Sequence, residues 1–89
     1  MNKYERYWDK VESVWIPNDK IDDGSYFKEM DKFGEMFFTK GYDKDIPVNK
    51  LVEKEGVSFM EYRVKEIKYL EKAGVLKIIK KENDEREDN

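Results

Sequence analysis

The chain contains no cysteine and no histidine. Without cysteine there are no disulfides and no thiolate metal sites. Without histidine the commonest general base and metal ligand are missing. No apolar run approaches the roughly 20 residues that a membrane span requires. The opening residues, Met1 to Arg6, lack the apolar stretch of a signal peptide. Paired carboxylates remain as a route to acid–base catalysis. Asp22 with Asp23, and Asp43 with Asp45, fall in expected loops with no evident pocket. The expectation is therefore a soluble cytoplasmic protein that is not an enzyme and holds no cofactor. Its 89 residues allow one domain with a modest core. A core of that size is marginal alone, and dimerisation would help it.

Charge is plentiful, and its distribution is uneven. The net charge is −3. Residues 1–46 hold 8 basic and 11 acidic side chains, residues 47–81 hold 9 and 5, and residues 82–89 hold 1 and 5. A basic stretch flanked by acid is compatible with a nucleic-acid face, or with an ordinary solvated surface.

Along the chain, Tyr4, Tyr7, Trp8, Val11, Val14 and Trp15 recur at helical spacing, which predicts an amphipathic helix over about 3–15. Pro17 stops it. This aromatic stripe has two readings, core packing and a dimer or partner surface formed by Tyr4, Tyr7, Trp8, Val11 and Trp15. Residues 17–24 form a turn-rich loop. They do not make a calcium loop, because Ile21 and Met30 would stand where oxygen ligands are needed. Ser25 is expected to cap a helix over about 26–40, with Gly34 weakening its middle and Gly41 beyond its end. Asp45 and Pro47 suit the start of a helix over about 46–55, with Val48, Leu51 and Val52 as its apolar face. Gly56 ends that helix. Ser58 and Glu61 have capping-box spacing and open a helix over about 58–73. Met60, Val64, Ile67 and Leu70 form its inward stripe, and Glu61, Lys65, Lys68 and Lys72 form another. Gly74 closes it, and a β-prone run at about 75–80 follows. Residues 82–89 contain no apolar side chain and read as a disordered acidic tail.

The two glycine-terminated helices, the short turn between them and the closing Leu70-x-x-x-Gly74-Val75-Leu76 phrase resemble the winged helix-turn-helix superfamily. The likeness covers residues of about 25–81 and is strongest over 46–79. It implies a mainly α fold with a short β wing and an extra N-terminal amphipathic helix, in one domain over 1–81. It implies double-stranded DNA as partner, with the second helix of the unit in the major groove. Carried over by position, Ser58, Phe59, Glu61, Tyr62, Arg63 and Lys65 would face DNA. Lys68, Lys72, Lys80 and Lys81 would lie near phosphates. The implied function is a small transcriptional or replication regulator of mobile-element type, dimerising through the first helix. The alternative is a protein-interaction module that binds a host protein through an aromatic and acidic surface, as small viral or plasmid-borne inhibitors do. Phe59, Glu61 and Tyr62 at the front of the helix motivate it, since arginine, lysine, asparagine and glutamine are the usual base readers.

Overall fold

A computed structural model of the chain describes residues 3–39 and 41–81. Its elements run α1 (Lys3–Asp9), β1 (Val11–Trp15), α2 (Asn18–Asp22), α3 (Ser25–Phe38), α4 (Val48–Glu55), α5 (Phe59–Lys72) and β2 (Lys77–Lys80). The architecture is mainly helical with a two-stranded antiparallel sheet. The expected acidic tail, 82–89, lies outside the described residues.

The helix expected over 3–15 is corrected. It stops at Asp9, and Val11–Trp15 form a strand that pairs with β2. The physical reason is visible in the register. Val14 lies opposite Ile78 and Trp15 opposite Lys77, but a bulge separates Val11 from Ser13. The extra residue of a bulge shifts the inward face along the strand. Val11 and Val14 therefore both pack inward, three residues apart, and imitate helical spacing. Valine and tryptophan also favour a pleated, half-buried surface. The strand expected after Gly74 thus finds its partner before the helical region rather than after it.

The loop over 17–24 contains the short helix α2. Ser25 is the first residue of α3, and the local bond runs from its N–H to Asp23 Oδ1 at 2.8 Å. The far end of α3 turns at Thr39, which adopts left-handed φ of 52°, and not at Gly41. The expected Asp45 cap is likewise replaced. Asp43 Oδ1 accepts from Asp45 N–H at 2.9 Å, and α4 begins after Pro47. Gly56 and Gly74 do terminate their helices at positive φ, 76° and 82°, a conformation glycine adopts without steric penalty.

Two apolar clusters meet along α5. The first contains Phe33, Phe38, Leu51, Val52 and Tyr62, with Phe37 and Tyr42 against it. Tyr62 stacks on Phe38 at 5.6 Å between centroids and meets Phe37 edge-on at 5.2 Å. Each such pair contributes about 0.5–1.5 kcal/mol beyond area burial. The second contains Ile67, Leu70, Val75, Leu76 and Ile78, with Tyr7, Trp8, Val11 and Val14 against it. Leu70 is 0% exposed, and its truncation to alanine should remove about 2–5 kcal/mol.

Gly34 permits the close approach of a loop side chain, Tyr42. A Cβ there would stand 2.6 Å from the Tyr42 hydroxyl and 3.7 Å from the ring carbon bearing it. Alanine gains about 1 kcal/mol of helix propensity over glycine, but here it must displace Tyr42 from Phe38. We expect Gly34→Ala to destabilise the native chain and to stabilise the Tyr42→Phe variant by about 1 kcal/mol. Denaturant midpoints of the four proteins check this, and the same sign in both backgrounds would refute it.

Candidate functional site

Helix α5 is enclosed on most of its circumference. Tyr62, Val64, Glu66, Ile67 and Leu70 are buried against α3, α4, α1 and β2. The side left open carries Lys65, Lys68 and Lys72, with Glu61 half-buried at its head. These are the four residues of the expected polar stripe. Ser58 Oγ accepts from Glu61 N–H at 3.3 Å, which is the serine half of a capping box. The Glu61 carboxylate turns the other way, 3.7 Å from Lys65 Nζ.

Beside this stripe lies an open groove of about 610 Å³ between α1 and α5. Lys3, Tyr4, Arg6, Tyr7 and Lys10 line one wall, and Val64, Lys65 and Lys68 line the other. Lys3, Arg6 and Lys10 recur at i, i+3 and i+7, so α1 turns one basic face toward α5. Two of the cations rest on rings: Lys68 Nζ is 4.9 Å from the Tyr7 centroid, and Lys3 Nζ is 5.3 Å from that of Tyr4. Burial and the nearby Glu71 carboxylate raise the Tyr7 phenol above its ordinary value, which keeps it neutral. Five cationic side chains therefore surround the groove, and its lining among the described residues includes no carboxylate. At its Lys10 end the backbone of β2 arrives. Lys81 N–H donates to the Lys10 carbonyl at 3.1 Å, and Lys80 is paired with Val11. Lys80 and Lys81 are both exposed there. Such an arrangement can hold a polyanion by charge and hydrogen bonding.

No family model, curated protein or solved structure matches this chain. What the site can do follows from its geometry and chemistry alone. Among the described residues no cluster of three or more ligating side chains is placed to hold a metal ion. No helix of the described residues is long and apolar enough to cross a membrane.

The expected DNA-facing residues do not share one face. Lys65, Lys68 and Lys72 share the open stripe, and Lys80 and Lys81 lie by the far end of the groove. Tyr62 is corrected: it is 2% exposed and packs against Phe37 and Phe38 in the core, off the open stripe. Phe59 and Arg63 lie on another side of α5, in a shallow cavity of about 340 Å³ shared with Met30, Val48 and Asn49. Val48, expected on the apolar face of α4, is exposed there. Ser58 is exposed at the helix start. Of the aromatic N-terminal set, Tyr4 lines the groove, Tyr7, Trp8 and Val11 pack half-buried on the second cluster, and Trp15 is 57% exposed. Sequence reasoning missed Lys3, Arg6 and Lys10. Their spacing was the available signal, masked by the aromatic stripe that shares α1.

Sequence reasoning also missed Glu66, which is 2% exposed and accepts a hydrogen bond from Arg63 Nη1. Burial pushes its carboxyl above the ordinary value of 4.5, and the Arg63 guanidinium pulls the other way without cancelling the rise. A raised folded value means that the fold holds this proton at pH values where the unfolded chain has lost it. Through Glu66, stability is therefore gained as pH falls from the raised value toward 4.5 and lost as pH rises. Comparing melting temperatures of the native protein and Glu66→Gln across this range isolates that contribution. The difference should shift in favour of the native protein on acidification, and a pH-independent difference would refute the assignment.

Proposed function

We propose that this chain is a small DNA-binding protein. In this reading α4, the turn at Gly56 and α5 act as a helix-turn-helix unit of winged-helix type, with β1 and β2 as a reduced wing. The observation that carries it is the groove in which five cations, from α1, the Lys10 turn after it and α5, converge with no carboxylate in the lining among the described residues. Lys65, Lys68 and Lys72 continue the same charge along α5. The α5 stripe would enter the major groove of a duplex, while Lys3, Arg6 and Lys10 meet the adjoining phosphate backbone. Contacts of this kind position a protein without reading sequence. The few polar groups at the helix front, Ser58 and Glu61, leave little for base readout, so binding should be weakly sequence-selective.

A second reading, as a protein-interaction module, is favoured by the exposed apolar side chains. Trp15 is 57% and Phe59 is 48% exposed, and aromatic residues are enriched at protein interfaces. The partner would be a second copy or a host protein. Neither side chain lines the basic groove, so the two readings separate by mutation.

Anisotropy of a labelled random duplex at a series of salt concentrations tests the proposal. Binding should appear at low salt and fall steeply as salt rises, because each neutralised phosphate releases counterion. Replacing Lys65 and Lys68 together by alanine should weaken binding and reduce the salt slope by roughly 2, about 1 per phosphate contact. Phe59→Ala and Trp15→Ala should leave the slope unchanged. Absence of binding at low salt would sink the DNA reading. Preserved DNA binding in the lysine double variant would dismiss the groove.

A further inference from the structure

We infer that the α1–α5 groove seats an unpaired DNA strand, with its phosphates on the flanking cations and its bases against the rings of Tyr4 and Tyr7. The inference rests on the reading of that groove as a nucleic-acid site, and it adds what the site takes from the bases. Charge alone does not account for the lining. Tyr4 and Tyr7 stand on the same wall as Lys3, Arg6 and Lys10, so rings and cations are interleaved there. A basic channel with aromatic platforms suits a single strand, because every base has a face that can stack. The two rings are three residues apart, about 4.5 Å along the helix at 1.5 Å per residue. Successive nucleotides of one strand rise by about 3.4 Å, so neighbouring bases can reach neighbouring rings. The Tyr7 ring faces the groove: Lys68, from the opposite wall, holds its Nζ 4.9 Å from the centroid. Lys3 Nζ lies 5.3 Å from the Tyr4 centroid. Both lysines are exposed, and contacts between a ring and an exposed ammonium are weak. A phosphate that draws the lysine away leaves that ring face to the adjoining base. A duplex cannot use these rings, since its bases are stacked on one another and offer only their edges. It is also a poor fit to the groove. The major groove is about 12 Å wide and admits one helix of about 10–12 Å. Helix α1 packs beside α5, and helices so packed have axes about 8–10 Å apart, which makes the pair roughly 18–22 Å across.

Three labelled ligands of equal length test this on the unaltered full chain at low salt: oligothymidylate, an abasic deoxyribose-phosphate strand and a duplex. The first two carry the same phosphates and differ only in the bases. Oligothymidylate should bind roughly five-fold or more tightly than the abasic strand, the lower end of what one stacked base contributes. Equal affinity for the two would overturn the inference and leave the groove as a site for phosphate alone. Binding of oligothymidylate without binding of the duplex would refute the duplex reading and leave the inference in place. Binding of none of the three would end both. A second arm replaces one ring. Tyr4→Leu should weaken oligothymidylate binding by roughly five-fold or more and leave the abasic strand and the duplex unchanged, whereas Tyr4→Phe, which keeps a ring, should bind all three like the native chain. An unchanged affinity of Tyr4→Leu for oligothymidylate, or an equal loss on all three ligands, would remove Tyr4 as a base platform and overturn the inference as stated.

Discussion

Helix α5 must be covered on most of its surface for this small chain to fold, and that requirement sets nearly everything else. Its inward residues join the two apolar clusters, Tyr62 in the first and Ile67 and Leu70 in the second. Turning the helix by a single residue, about 100°, would carry lysines into those clusters and aromatic rings into water. Burying an unpaired charge costs several kcal/mol, against a total stability of about 5–15 kcal/mol for a typical domain. The rotation of α5 is therefore fixed by the core, and the position of Lys65, Lys68 and Lys72 is fixed with it. The open stripe is what remains after packing is satisfied.

The features legible in the sequence were those that depend on neighbours along the chain. The glycine ends at Gly56 and Gly74, the Ser58 cap and the lysine stripe of α5 are local, and each is where the sequence pattern put it. The features that were not legible depend on distant partners. Val11 to Trp15 satisfy a helical period only because a bulge moves one inward side chain by a residue. What decides for a strand there is Lys77 to Lys80, more than 60 positions away. Tyr62 and Glu66 carry polar atoms and read as surface. They are interior because Phe33, Phe37 and Phe38 supply an aromatic wall and Arg63 supplies a partner. The pairing of α1 with α5 is of the same kind: each helix shows its basic face, but nothing local shows that the faces meet.

The charge balance changes meaning once the chain is folded. Along the sequence the first 46 residues are acidic and the middle is basic. In space, three cations of the acidic stretch join two from the basic one. Of the two acids of α1, Asp9 stands three residues from Arg6, as near on the helix as Arg6 is to Lys3, but neither Glu5 nor Asp9 lines the groove. A net charge of −3 gives no long-range attraction for a polyanion. Screening nevertheless confines exposed charges to about 8 Å at physiological ionic strength. Over that distance the groove presents its own cations, so contact can be favourable where steering is not.

The sheet and the groove are consequently one construction. Helix α1 is joined to the rest by a single residue, Lys10, and by the strand that follows it. Pairing of β1 with β2 and the half-buried Tyr7 and Trp8 hold α1 beside α5. The α3–α4–α5 cluster around Tyr62 uses none of these contacts. Loss of the strand pair would thus separate Lys3, Arg6 and Lys10 from Lys65 and Lys68 while leaving the aromatic cluster intact. The first cluster supplies a rigid α5, whereas the second decides whether the isolated lysine stripe becomes a two-walled site. Since Lys81 N–H also donates to the Lys10 carbonyl, the same strand pair holds the Lys10 end of the groove in place.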